Sequence, residues 1–116
     1  MKIVFIGDIV GKEARQKFIE SIPDIKNKYE PDVLIVNAEN AAAGFGLTKK
    51  IANQLLDAGV DVITLGNHAW DQKEMLSYIE ECPKIIRALN YPSGVPGKGY
   101  YELTLPNGKK IVIIQI

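Results

Sequence analysis

A chain of 116 residues, 47% apolar and 24% charged, has the composition of one ordinary globular domain, which argues against a fibrous repeat or a disordered tail. Its 14 basic and 14 acidic residues balance, so no field of one sign draws it toward nucleic acid or an anionic membrane, and any phosphate recognition must be local. The apolar runs are strand-length against the roughly 20 residues of a membrane span, the N-terminus lacks the regions of a signal peptide, and the single cysteine, Cys82, can make no internal disulfide; a cytoplasmic location is expected.

In chain order, Ile3-Val4-Phe5-Ile6 reads as a first strand, and residues 12–29 as a helix with Phe18, Ile19, Ile22 and Ile25 inward, kinked or divided at Pro23. Val33-Leu34-Ile35-Val36 is the second strand. Thr48 then caps a helix that buries Ile51, Leu55 and Leu56 and ends at Gly59. Val62-Ile63-Thr64-Leu65 is the third strand. A third helix should begin near Asp71 as its cap, carry Met75, Leu76 and Ile79 inward, and stop before Pro83. The three strands recur about every thirty residues without polar alternation, the pattern of parallel strands covered on both faces by crossover segments.

Beyond Pro83 the pattern changes. Ile85 and Ile86 suit a short strand, and residues 90–99 form a loop rich in proline and glycine. Residues 100–105 and 109–116 flank Pro106-Asn107-Gly108, whose Asn-Gly pair favours a type I′ hairpin turn. The last segment reads as a buried strand with nothing after it to cover the sheet, which suggests a truncated protein. The fold class is therefore α/β, a β-α-β-α-β-α unit plus a β-hairpin, with no domain boundary inside residues 1–116.

The polar residues of interest all follow strands: Gly7-Asp8, Asn37-Ala38-Glu39-Asn40 and Gly66-Asn67-His68. The carboxyl edge of an α/β sheet is where loops and helix N-termini converge, and strands about 4.8 Å apart can bring such side chains into one cluster. Each residue has an ordinary reading when taken alone. Asp8 suits a loop cap, Asn40 and Asn67 suit turns, and a lone histidine such as His68 is commonly structural. Glu39 is harder to dismiss, because its stretch of small uncharged residues offers no cation to pair with it.

The joint pattern Gly7-Asp8, Asn37-Ala38-Glu39-Asn40, Gly66-Asn67-His68-Ala69-Trp70-Asp71, with the loop from Asn90-Tyr91-Pro92 to Pro96-Gly97-Lys98-Gly99, resembles the calcineurin-like metallophosphoesterase superfamily. It is similar in particular to the YmdB-like branch of bacterial cyclic-nucleotide phosphodiesterases. Two departures from the wider superfamily point to that branch: Asp8-Ile9-Val10 lacks the usual histidine, and Glu39 stands where an aspartate is usual.

The resemblance implies the first half of a four-layer α/β/β/α sandwich and a two-metal centre of iron, or else manganese. Asp8 and Asn40 would bind one ion, Glu39 would bridge both, Asn67 would bind the second, and His68 would protonate the leaving group. The implied reaction is hydrolysis of 2′,3′- or 3′,5′-cyclic nucleotides by a hydroxide held between the ions. Family members are about twice as long and supply further histidine ligands, so weak metal binding and little activity are expected of these residues alone. The expected partners are a small phosphodiester and either a second copy of the chain or the missing half. A non-catalytic scaffolding module is the alternative, disfavoured by the presence of both Glu39 and His68. A dinucleotide-binding domain is disfavoured because Gly7-Asp8-Ile9-Val10-Gly11 lacks the required glycine spacing.

Overall fold

The computed structural model describes residues 1–116. Four parallel strands, β1 (Ile3–Ile6), β2 (Val33–Asn37), β3 (Val62–Thr64) and β4 (Ile85–Ile86), lie side by side in chain order. Helices α1 (Gly11–Tyr29), α2 (Lys49–Ala58) and α3 (Met75–Glu81) connect them, and β5 (Tyr100–Thr104) pairs antiparallel with β6 (Lys110–Ile114).

Alternation along the strands separates two cores. Leu34, Val36, Ile63 and Ile85 face Phe18 and Ile22 of α1, Ile51 and Leu55 of α2, and Met75 and Ile79 of α3. Val33, Ile35, Val62 and Ile86 face Leu105, Ile111 and Ile113 of the hairpin. The expectation that crossover segments cover both faces is thus corrected. When each strand lies beside its predecessor on the same side, right-handed crossovers put every helix on one face, and the hairpin supplies the cover on the other. Each fully buried aliphatic side chain in these layers contributes roughly 1.5–3 kcal/mol.

The hairpin stops short of β1. Ile3 and Phe5, in register with Val33 and Ile35, remain 47% and 56% exposed. The last strand is buried on one face only, with Ile111 and Ile113 inside and Val112 and Ile114 outside.

Four local expectations are revised. Helix α1 is not divided at Pro23 but continues as one element from Gly11 to Tyr29, with Phe18 and Ile22 buried. Helix α3 starts at Met75, because Asp71 is engaged with His68 and does not cap it. Leu76 points outward, 43% exposed. The hairpin turn is not type I′: of Pro106, Asn107 and Gly108 only the glycine takes a positive φ, of 81°. Proline at the second turn position favours a type I turn, and Gly108 then completes a three-residue loop, with its amide donating to the Leu105 carbonyl and the Leu105 amide donating to the Lys109 carbonyl. Helix α2 matches its expected bounds, with the Thr48 hydroxyl accepting from the Ile51 amide at 3.2 Å and Gly59 at its end.

Helices α2 and α3 are joined by the Tyr78 hydroxyl, which donates to Asn53 Oδ1. Burial, and secondarily the charge of Cys82, push the Tyr78 phenol above its ordinary value. The unfolded chain therefore loses this proton first, near pH 10. The associated stability is intact below that pH and is lost as pH rises toward the folded value. Thermal denaturation from about pH 8 to 11 is expected to show a steeper alkaline fall for the parent than for Tyr78→Phe; equal slopes would contradict this.

Candidate active site

Three loops leave the carboxyl ends of β1, β2 and β3 and are tied to one another by backbone hydrogen bonds. The Ile9 amide donates to the Asn37 carbonyl and the Gly11 amide to the Asn40 carbonyl, each at 3.2 Å, and the Ala38 amide donates to the Thr64 carbonyl at 3.1 Å. Asn40, two residues further along than the Ala38 link, is thereby brought beside the first loop, where its Nδ2 donates to Asp8 Oδ2 at 2.8 Å. In this orientation the Asn40 amide oxygen is free of any hydrogen bond to the protein. Arg15, on the first turns of α1, braces the same loop by donating from Nη1 to the Ala41 carbonyl at 2.6 Å.

Glu39 reaches the other way. Its half-buried carboxylate accepts from the His68 amide at 3.3 Å through Oε2 and packs directly against the Cα of Gly66. No cation lies within ion-pair distance of it. Asn67, at the crown of the turn after β3, is exposed, and its side chain makes no hydrogen bond. The next residue, His68, holds Asp71 Oδ2 at 2.7 Å through Nδ1, both side chains about a third exposed, at 36% and 34%. That contact fixes the ring and leaves Nε2 for a ligand. The turn is backed by the loop before α2, where Gln72 Nε2 donates to the Phe45 carbonyl at 2.7 Å.

The structure therefore brings Asp8 to Asn40, and Glu39 to the turn that carries Asn67 and His68. No group of three or more histidine, cysteine, aspartate or glutamate side chains is gathered to hold a metal ion. The donors at hand are the oxygens of two carboxylates and two amides, a hard set suited to manganese, iron or magnesium but too small to fill the coordination of two ions.

Several contributors were not legible beforehand. Asp71 reads in the sequence as a helix cap, although its i+3 spacing from His68 was the available signal. Tyr91 donates its hydroxyl to the Gly66 carbonyl at 3.1 Å, and Arg15 and Arg87 act through backbone carbonyls that leave no sequence mark. Glu80, on the last turn of α3, accepts from the Gly97 amide at 2.7 Å. Trp70 packs against the helical core, with its ring 6.4 Å from that of Tyr91.

The carboxyl edge of the parallel sheet thus presents oxygen donors beside an oriented imidazole. A family model described as YmdB-like protein matches residues 4–116, and the chain belongs to that family. The 2′,3′-cyclic-nucleotide 2′-phosphodiesterase of Bacillus subtilis (strain 168) is 46% identical over 116 residues, covering 100% of this chain and 44% of the relative. A crystal structure of a phosphatase from Mycoplasma pneumoniae superposes with a TM-score of 0.89 at 36% identity, covering 98% of this chain and 42% of the other. One from Thermus thermophilus, described only as a hypothetical protein, gives 0.90 at 40% identity over 100% and 44%. The chain thus spans somewhat less than half the length of these proteins and corresponds to their N-terminal part.

Proposed function

We propose that these residues form one half of a two-metal phosphodiesterase site that hydrolyses cyclic nucleotides, with the 2′,3′-cyclic esters as first candidates and the 3′,5′ esters as second. The observation that carries this reading is the position of Glu39, an unpaired carboxylate reaching from the β2 loop, where its neighbour Asn40 touches Asp8, to the turn bearing Asn67 and His68. Asp8 and Asn40 would hold one ion, Asn67 the other, and Glu39 would be shared. When bound, two divalent ions, iron or manganese, supply Lewis acidity toward the phosphodiester and lower the pKa of water. His68 serves the leaving group: with Nδ1 on Asp71, its Nε2 can give a proton to the departing sugar oxygen as the phosphorus–oxygen bond breaks. Water adds to phosphorus, and the products are a phosphomonoester and an alcohol on the same sugar.

The similarity to a named cyclic-nucleotide phosphodiesterase supports the substrate class. Two carboxylates set against four positive charges mean that further ligands complete the centre, and the greater length of the relatives can provide them. The outward apolar residues Ile3, Phe5, Val112 and Ile114 suit the same additional chain as cover, or a second copy.

The test is hydrolysis of 2′,3′- and 3′,5′-cyclic AMP by a family-length protein carrying these residues, before and after treatment with a chelator. Turnover that vanishes on chelation and returns with manganese is expected. Turnover indifferent to the chelator would sink the two-metal reading.

A further inference from the structure

Gly66 opens the turn that presents Asn67 and His68, and it is held from two directions. The Glu39 carboxylate occupies the space where a Cβ would be, and the Gly66 carbonyl oxygen accepts from the Tyr91 hydroxyl at 3.1 Å. Tyr91 comes from the proline- and glycine-rich segment after β4, which has little regular structure of its own. What orders that segment is Arg87. Its guanidinium, in a residue only 9% exposed, faces no carboxylate and donates instead to the carbonyls of Ala88, Val95, Pro96 and Gly97. Burying a cation without a counter-charge is costly, and here the positive charge is spread over carbonyl dipoles that close the segment into one loop. The loop is also fastened at its rim, where Glu80 accepts from the Gly97 amide.

Resting on the proposed metal-binding role of Asn67, we propose that Tyr91 is a positioning residue, whose hydroxyl sets the Gly66 carbonyl and thereby the placement of Asn67 and His68, and that Arg87 locks the loop delivering it. The effect falls on the turn and not on the overall fold. Groups that orient a ligand without touching the metal typically change affinity by about 10–100-fold.

The experiment compares a family-length protein carrying these residues with its Tyr91→Phe variant, which deletes a single oxygen, and with its Tyr78→Phe variant, which deletes another phenol hydrogen bond, between α2 and α3. Amide spectra are recorded first without metal and then during manganese titration. Without metal, Tyr91→Phe is expected to shift the amides of residues 66–68 selectively, and Tyr78→Phe to leave them in place. On titration, Tyr91→Phe is expected to weaken manganese-induced broadening of those amides about 10-fold, with Tyr78→Phe unchanged. Unmoved amides at 66–68 in Tyr91→Phe would overturn the positioning role whatever the metal does, as would equal manganese affinity in parent and variant. If the parent takes up no manganese, the metal reading of Asn67 fails, while the metal-free spectra still decide what Tyr91 holds.

Discussion

Glu39→Gln in a family-length protein is expected to lower kcat/KM for a cyclic phosphodiester by about three orders of magnitude or more, about 4 kcal/mol of transition-state stabilisation. Its melting temperature should change little. The substitution keeps the size of the side chain and an oxygen able to accept from the His68 amide. What it removes is a negative charge with no protein cation beside it. A carboxylate in that position costs desolvation without a compensating ion pair, which makes sense if its partners are cations absent from the polypeptide. Metal content measured by elemental analysis should fall along with turnover. Full activity in Glu39→Gln would show that the carboxylate is structural, and a large drop in melting temperature would show the same by another route.

Gly66→Ala is expected to weaken metal binding about 10-fold or more while changing the stability of the fold little, because the group in the way is the end of the flexible Glu39 side chain, which can swing aside. Here the reason is space and not backbone freedom, since Gly66 is not among the positive-φ glycines. A methyl built on its Cα would lie 2.5 Å from Glu39 Oε1 and against the rest of that carboxylate. The acid then swings away from the turn. Gly7→Ala is the control, because a methyl at that position, beside Asp8, meets nothing within 4 Å. Manganese titration should separate the two variants, with only Gly66→Ala weakened, while denaturant unfolding leaves both near the parent. Equal manganese binding by the two would mean that the close approach of Glu39 to Gly66 is not maintained in solution.

Different kinds of contact leave different marks in the chain. Strands and helices were legible because burial imposes a period: Val33 to Val36 are all buried because one alternate pair meets helices and the other meets the hairpin. Which layer covers which face was not legible from periodicity, because a strand buried on both sides looks the same whether helix or sheet is its neighbour; the resemblance to a four-layer α/β/β/α sandwich supplied it, and the helices on one face and the hairpin on the other agree with it. The hairpin was found, but its turn type was missed because Asn-Gly was read without the proline before it. At the site, Asp8, Glu39, Asn40, Asn67 and His68 stood out as polar residues following apolar runs, and the structure puts their loops at one edge. Their supports were hidden. Asp71 looked like a cap, and Tyr91, Arg15 and Arg87 work through backbone carbonyls, which every residue possesses.

Whether Asp8, Glu39, Asn40 and Asn67 face one metal-binding region is tested most directly by residue-resolved paramagnetic broadening of the amide spectrum with sub-stoichiometric manganese. Signals of residues 7–8, 39–40 and 66–68 are predicted to disappear together at the lowest additions, while those of the hairpin, residues 100–114, stay sharp. Broadening confined to other exposed carboxylates, such as Glu20 or Asp57, with the three loops untouched, would contradict a shared metal region.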